Sequence, residues 1–339
     1  MHGTQPETET GQPSAFAPRP GSWRADAHLR EGHGPQRATE TSASSSMAPF
    51  ENTSPSIVAD EASATTREGA CAPREYEPRE FEFARFDLAE IWRRPLPALA
   101  GKPATRIAIR LLLTTLARRV CGITGIENIA TRRDPFILCF NHGTRSEALL
   151  VPALLAFLRG GRLVHFFADW NYQLIPVVGY VMRLGEPITV TRKPARPRIL
   201  NRLRPRYADS MPALERGRWW LERGEPIGIF PEGTVNWNPC ELARGDHGAA
   251  WLSLGTGVPV VPAGIRFPEL PEGQRVREWS RMELEFGRPM LPDASLAGRA
   301  GEFSAVKEWH ACIMGEISRL SHKTWNPQLR RKKHAHQNH

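Results

Sequence analysis

The sequence lacks the paired cysteines that hold small secreted domains together or bind zinc. Its 339 residues include five cysteines, and no two of them form a Cys-x-x-Cys pair. Scattered single cysteines are typical of proteins in a reducing compartment, and they argue against a disulfide scaffold or a zinc site. Cys139 lies inside an apolar run, so we expect it to be an inert core residue.

The sequence also lacks a hydrophobic run that could cross a membrane. A spanning helix needs about 20 consecutive apolar residues, and no such stretch occurs. The chain does not begin with basic residues followed by an apolar run, which is the pattern of a secretory signal. The nearest candidate is the segment 106–120, where arginines stand on both sides of a short apolar centre. Two interpretations stay open: a helix in the lipid headgroup region, or an ordinary core helix.

Motifs for nucleic-acid recognition and for serine hydrolases are missing as well. The net charge of +9 favours an anionic partner, such as nucleic acid, a phospholipid surface or a phosphorylated substrate. The sequence contains no helix-turn-helix, zinc-finger or aromatic RNA-binding pattern, so nucleic acid is not an expected partner. No Gly-x-Ser-x-Gly run occurs, so no serine nucleophile is indicated.

The two ends of the chain differ in composition from the part between them. Residues 1–80 are rich in Ser, Thr, Ala, Glu, Gly and Pro, with single apolar residues far apart. Such a segment buries too little apolar surface to offset its ordering entropy, so we predict a disordered N-terminal tail. Residues 81–325 are long enough to bury a full core as one domain. Residues 326–339 form a basic C-terminal tail.

Within the predicted domain, apolar runs of strand length alternate with segments of helical spacing. Strands are predicted near 136–140, 162–168, 185–191, 227–230, 258–265 and 282–286, and helices near 146–158, 211–223, 248–254 and 302–321. Pro259 and Pro262 indicate that the strand 258–265 is irregular or lies at a sheet edge. The alternation predicts an α/β fold: a single-domain sandwich in which helices flank a mostly buried mixed sheet. Amphipathic helices are expected at the N-terminal end of the domain.

One candidate site follows the first of these strands. His142 comes after the apolar run 136–140, and Glu147 follows it within the same turn. Ligands of α/β proteins usually lie at the carboxyl ends of the strands. A carboxylate on one imidazole nitrogen fixes the tautomer and supports the charge that forms when the other nitrogen takes a proton. The pair therefore suits a general base acting on a hydroxyl group, although a helix-capping histidine beside a surface glutamate would give the same spacing.

A second motif, Phe230-Pro231-Glu232-Gly233-Thr234, makes the catalytic interpretation specific. A strand that runs into this sequence forms a tight turn with backbone N–H groups beside a carboxylate. Together with Asn141-His142 and the acid that follows, it resembles the glycerolipid acyltransferase family typified by 1-acylglycerol-3-phosphate acyltransferases. The segments 179–192 and 258–262 resemble two further blocks of that family, in the expected order.

The resemblance implies a mechanism and a set of roles. His142 would be the general base on the acceptor hydroxyl, with Glu147 as its orienting partner, and the acyl donor would be a thioester of coenzyme A or acyl carrier protein. Arg192 would bind an acceptor phosphate, because a guanidinium fits phosphate in a bidentate manner. Glu232, Gly233 and Thr234 would position the acceptor or order the turn, and Pro262 would shape the pocket wall. The resemblance implies neither a metal nor a cofactor.

Two departures from the family pattern bear on activity. The family usually has Asp at the position of Glu147, so the side chain here is one methylene longer. After Thr234 the family usually continues with Arg and Ser, whereas Val235 and Asn236 stand here. The change to Val235 removes a cation from the expected acceptor site. Three alternatives stay open: the acceptor is a lysophospholipid, the acceptor is not a glycerolipid but an aminolipid or a sterol-like alcohol, or the chain is a catalytically weak lipid-binding relative.

A basic run of seven Arg and Lys residues between 192 and 206 contains no acid. It is either a solvated loop interrupted by prolines or a docking surface for anionic lipids or for the phosphates of coenzyme A or a carrier protein. Taken together, these features predict an enzyme that works at the cytoplasmic face of a membrane, bound peripherally or monotopically. Its partners would be a lysolipid acceptor, an acyl thioester and the anionic membrane surface.

Overall fold

The computed structural model describes residues 87–271 and 273–328. The predicted N-terminal tail, residues 1–80, lies outside these ranges. So do residues 81–86 of the predicted domain and residues 329–339 of the predicted basic tail. The helices are α1 (Leu88–Arg93), α2 (Pro103–Leu116), α3 (Glu147–Leu158), α4 (Pro176–Leu184), α5 (Arg204–Tyr207), α6 (Ala213–Glu222), α7 (Gly248–Thr256) and α8 (Phe303–Ser321).

The strands are β1 (Val120–Thr124), β2 (Ile137–Phe140), β3 (His165–Asp169), β4 (Ile188–Val190), β5 (Ile227–Ile229), β6 (Glu241–Leu242), β7 (Val260–Arg266), β8 (Met282–Phe286) and β9 (Thr324–Trp325). Seven of them form one sheet in the order β1-β8-β7-β2-β5-β3-β4, while β6 and β9 pair separately. Neighbours in the large sheet are parallel except β7 and β8, which are antiparallel. The predicted α/β fold with a mixed sheet is confirmed.

The sheet is buried on both faces, as its apolar strands predict. Leu138 and Phe140 of β2 belong to a core shared with α1, α2 and α3. Ile137 and Cys139, on the other face of the same strand, belong to a core shared with α6, α7 and α8. Because successive strand residues point to opposite faces, a fully apolar strand indicates helices on both sides of the sheet. The expectation that Cys139 is a core residue is confirmed.

The strand 258–265 is irregular, which is one of the two predicted alternatives, whereas the other alternative, a position at a sheet edge, is wrong. β7 lies inside the sheet, between β8 and β2. Pro262 is tolerated there because pairing with β8 is interrupted at that point: the ladder starts at the Ala263–Phe286 pair, and an isolated bridge joins Val260 to Met290. The Pro262 carbonyl still accepts a hydrogen bond from Gly287 at 2.8 Å. A missing N–H group costs little where the partner strand turns away.

Helix α2 covers most of the segment 106–120 and packs one face against the core, while its position in the lipid headgroup region stays a prediction. Ile109 and Leu113 are buried in the core, whereas Ile107 and Leu111, on the outer face, are about half exposed. In the ranges 87–271 and 273–328, no helix is long and apolar enough to cross a membrane. The last residue of the predicted segment, Val120, begins β1, which the sequence pattern did not reveal.

The buried side chain of His310 in α8 should make the stability of the protein depend on pH. Its Nε2 lies 3.2 Å from the Arg244 carbonyl, its Nδ1 has no hydrogen-bond partner, and burial lowers the pKa of the ring from 6.5 to about 4. The unfolded chain therefore binds the proton first as the pH falls, so stability is lost between pH 6.5 and about 4.

From pH 7.5 to pH 5.0 this group alone should lower the free energy of unfolding by about 2 kcal/mol. Urea unfolding at the two pH values measures the loss. His310→Gln keeps a side-chain N–H but does not titrate, so its pH dependence should be shallower by about this amount. Equal slopes for the variant and the wild type would contradict the assignment.

Candidate active site

The candidate residues meet at one edge of the sheet because their strands are parallel. His142 follows the end of β2, Arg192 follows the end of β4, and Glu232 follows the end of β5. β2, β5, β3 and β4 lie side by side in register, so their carboxyl ends open at the same edge. This is the edge where ligands of α/β proteins usually bind.

The spacing from His142 to Glu147 forms a direct contact. The Nδ1 atom of His142 lies 2.9 Å from Glu147 Oε2, and the Glu147 carboxylate is fully buried. The same carboxylate accepts the backbone N–H groups of Gly143 at 2.9 Å and Thr144 at 3.0 Å. Three donors therefore hold it in one position. With Nδ1 donating to Glu147, the lone pair of the imidazole is on Nε2.

The tight path of the chain between these two residues requires glycine at position 143. A Cβ atom there would come within 2.6 Å of the Phe267 ring and 3.2 Å of Glu147 Oε1. The His142 ring is also packed against Phe230, with ring centroids 4.3 Å apart. The imidazole is thus fixed on one edge by a carboxylate and on one face by an aromatic ring.

Glu232 connects the Pro-Glu-Gly-Thr turn to the loop that carries His142. Its Oε1 accepts the backbone N–H of His142 at 2.9 Å, and its Oε2 accepts the N–H of Ala243 at 2.7 Å and the side-chain amide of Asn236 at 2.8 Å. Burial raises the pKa of Glu232, and the N–H donors of Ala243 and His142 partly oppose that rise. Because only 1% of its surface is exposed, Glu232 orders the turn and does not reach a bound acceptor.

A cavity of about 850 Å³ opens beside His142. Its apolar part is formed by side chains of α2, α3 and α4, including Ile109, Leu112, Leu149, Ala153 and Met182. Its polar part is lined by His247 and by five charged side chains: Arg145, Asp169, Arg192, Lys193 and Asp246. A cavity with an apolar depth and a charged mouth fits an amphiphile better than a small polar substrate.

A protein-family model described as "Acyltransferase" matches residues 121–266. The matched segment runs from β1 to the end of β7 and includes His142, Glu147 and Glu232. The matched segment is less than half of the 339-residue chain. The chain also resembles the crystal structure of PlsC from Thermotoga maritima, a 1-acyl-sn-glycerophosphate (LPA) acyltransferase. The two are 19% identical, the match covers 70% of this chain and 88% of that chain, and the TM-score is 0.44. No curated protein matches the chain.

Of the predicted site residues, one group lines the cavity: His142, Arg192, Gly233 and Thr234. Glu147, Glu232 and Pro262 are not among the lining residues. Gly233 has φ of +64°, a conformation that the turn requires and that glycine adopts at little cost. Pro262 is not among the lining residues, so the expectation that it shapes the pocket wall is wrong. It lies within the sheet because β7 is an inner strand.

Lys193 contacts the Pro-Glu-Gly-Thr turn. Its Nζ donates to the Gly233 carbonyl at 2.8 Å and lies 3.9 Å from Asp169 Oδ2. Val235 itself lines the cavity. The loop after β4 therefore supplies a positive charge beside the Pro-Glu-Gly-Thr turn.

The sequence interpretation missed two residues that support the loop 143–146. Buried Arg119 contacts the Ser146 hydroxyl and donates to Thr144 Oγ1 at 3.4 Å. Glu278 accepts the backbone N–H groups of Arg145 at 3.3 Å and Ser146 at 3.2 Å. Burial lowers the pKa of Arg119, while the charges of Glu147 and Glu278 raise it. These contacts place the start of α3, from which Glu147 reaches His142.

Asn236 is a third missed residue, and its position gave a usable hint. It stands where the family usually has Ser, so a role beside the turn was open to prediction. Its backbone N–H donates to the His142 carbonyl at 2.7 Å, in addition to its side-chain bond to Glu232.

In the described ranges, no group of three or more His, Cys, Asp or Glu residues is arranged to hold a metal ion.

Proposed function

We propose that this protein is an acyltransferase that moves a fatty acyl group from an acyl thioester, of coenzyme A or acyl carrier protein, to a hydroxyl of a lysophospholipid such as 1-acylglycerol-3-phosphate. One observation carries the proposal. The Nδ1 atom of His142 is bonded to the buried Glu147 carboxylate, while the His142 ring lines a cavity with a charged mouth and an apolar depth.

In the proposed reaction, His142 Nε2 takes the proton of the acceptor hydroxyl as the oxygen attacks the thioester carbonyl. The tetrahedral intermediate collapses, the carbon–sulfur bond breaks, and the thiolate takes the proton from the imidazolium. Glu147 stabilises the imidazolium without taking a proton itself. General-base assistance of this kind typically contributes about 10²–10⁴-fold to the rate.

The lining of the cavity supports an anionic lipid acceptor. The side chains of α2, α3 and α4 offer an apolar surface to a fatty chain. Arg192, Lys193 and Arg145 stand at the charged mouth, where guanidinium and ammonium groups would bind a phosphate. The exposed apolar face of α2 would bring the cavity to a membrane that supplies the lipid.

A panel of acceptors and donors tests the proposal. The full chain is incubated with acyl-coenzyme A or acyl carrier protein and with lysophosphatidic acid, other lysophospholipids, a lyso-aminolipid and a sterol. Products are identified by mass spectrometry. The proposal predicts an ester product with a lysophospholipid. Absence of turnover with every pair would instead indicate a lipid-binding relative without catalysis.

A second candidate is the same chemistry on a non-glycerolipid acceptor with an amine in its headgroup. It is favoured by Val235 at the cavity wall and by the carboxylates of Asp169 and Asp246 nearby. Those carboxylates would pair with an ammonium group. In the panel, this candidate predicts a product with the lyso-aminolipid and none with lysophosphatidic acid.

Replacing Arg192 by Gln tests the phosphate contact. We expect the KM for a short-chain lysophosphatidic acid to rise about tenfold with little change in kcat, because a charge-assisted hydrogen bond contributes about 1.5–3 kcal/mol. Steady-state kinetics with a monomeric acceptor measures the split. Arg196→Gln is the matched control, since Arg196 is exposed in the same loop but does not line the cavity. Equal effects of the two changes would show that only the general charge of the loop matters.

A further inference from the structure

Helix α4 exposes an apolar face that no described residue covers. Val177 is 76% exposed, and Ile175 and Tyr180 are about half exposed. On its inner side the same helix presents Val181 and Met182 to the cavity. Three large apolar side chains on the outer side of one short helix are costly in water and indicate a contact surface.

A strongly basic segment follows α4 in the chain. The stretch from Trp170 to Ala208, which includes α4 and the segment after it, has eight Arg and Lys residues. Its one acid, Glu186, pairs with Lys102. Five arginines of this segment are exposed and engage no ion pair within the described ranges: Arg196, Arg198, Arg202, Arg204 and Arg206. Exposed Ile199 lies among them. Their charges are therefore available to a partner.

The apolar face and the basic segment adjoin each other. The turn 170–174 leads directly into α4, and its Trp170 indole donates to the Lys193 carbonyl at 2.8 Å. The Trp170 ring also lies 6.2 Å from the ring of Tyr207, at the end of α5. These contacts hold the basic segment against the turn that precedes α4.

The apolar face continues onto α2. The Thr105 hydroxyl of α2 donates to the Leu184 carbonyl at the end of α4 at 3.5 Å. Ile107 and Leu111 on the outer side of α2 are exposed like Val177 and Tyr180. The apolar area thus extends over two helices that also wall the cavity.

We propose that the outer face of α4 and the basic segment 192–206 together form a docking surface for an anionic lipid bilayer. The apolar side chains of α4 enter the acyl boundary, and the arginines contact lipid phosphates. A planar bilayer fits this surface better than an acidic protein does, because the exposed apolar residues come from two neighbouring helices. The surface presents the cavity wall formed by α2 and α4 to the lipid phase.

Vesicle flotation with the full chain tests the docking surface. Vesicles of phosphatidylcholine alone are compared with vesicles that also contain phosphatidylglycerol, at low and high salt. We expect binding to the anionic vesicles that weakens with salt. Charge reversal of two arginines, Arg198→Glu with Arg202→Glu, should weaken this binding about tenfold or more, because each basic residue near an anionic membrane contributes about fivefold. Val177→Asp should also reduce it.

Matched variants control for general effects of charge and polarity. Arg288→Glu with Lys307→Glu reverses two exposed charges outside the surface, and Leu291→Asp changes a side chain that is 61% exposed elsewhere. We expect neither to alter vesicle binding. The proposal is overturned if the control pair weakens binding as much as the arginine pair. It is also overturned if the arginine pair leaves vesicle binding intact and weakens only binding of acyl carrier protein. Binding is the readout, so the result does not depend on which acceptor the enzyme uses.

Discussion

Replacing His142 by alanine should lower the turnover number by about 10²–10⁴-fold, the usual contribution of a general base. The Nε2 lone pair of the ring is lost, and the Glu147 carboxylate cannot take over because it is fully buried behind the imidazole. The protein should stay folded, since Glu147 keeps the N–H groups of Gly143 and Thr144. Steady-state turnover and thermal unfolding of the same preparation measure the two effects.

His247→Gln is the matched control for this result. His247 also lines the cavity, but its ring packs against Phe303 and His310, with centroids 5.4 and 4.5 Å away, and not against the Glu147 carboxylate. We expect its turnover to stay within about fivefold of wild type, because it removes no general base. Near-normal turnover of His142→Ala would rule out His142 as the base.

Replacing Glu147 by glutamine should be almost as damaging, for a reason that is geometric as well as electrostatic. The carboxylate accepts three hydrogen bonds at 2.9–3.0 Å, from the His142 ring and two backbone N–H groups. An amide presents an NH₂ group where at least one of these donors points, so a buried donor loses its partner. We expect turnover to fall at least 10²-fold and the free energy of unfolding to fall by about 1–3 kcal/mol. Kinetics and urea unfolding measure the two losses.

Glu147→Asp separates charge from reach. Aspartate keeps the charge but withdraws the carboxylate by about 1.5 Å, the length of one carbon–carbon bond. The start of α3 is fixed by Arg119 and Glu278, so the helix cannot simply move closer to His142. We expect Glu147→Asp to be slower than wild type by about tenfold or more, although the family usually has Asp here. Wild-type turnover of this variant would show that the backbone of the loop adapts and that these supports are not rigid.

The elements that the sequence predicted well are those with a strong local pattern. α3 begins at Glu147 and ends at Leu158, as the apolar spacing and the following Gly160-Gly161 indicate. β2 and β5 also coincide with the apolar runs that predicted them. α4 and β1 were missed, because Pro176 and Gly179 obscure the helical pattern of α4 and the glycine of β1 weakens its strand pattern. Local patterns state what a segment can form, and packing decides the rest.

The wrong prediction of an edge position for β7 also arose because a local pattern does not show how a segment packs. Pro259 and Pro262 correctly indicate missing N–H donors, but the sequence does not show which neighbour would need them. In the fold, the antiparallel pairing with β8 has a gap beside Pro262, and the parallel side faces β2. Where a strand lies in a sheet depends on hydrogen bonds to distant segments, so it cannot be deduced from the strand alone.

The sequence by itself predicted the α/β class, the His142–Glu147 contact and the resemblance to acyltransferases, because each rests on short-range patterns or on ordered motifs. Only the tertiary structure decided how the pair is supported. Arg119 is 27 positions from Ser146, Glu278 is 132 positions from it, and Glu232 is 90 positions from His142. Glu232 meets His142 because the parallel strands β2 and β5 end at one edge of the sheet. Arg119 and Glu278 reach that edge from the amino ends of β1 and β8, which run antiparallel to β7 and β2, and no local pattern encodes that meeting.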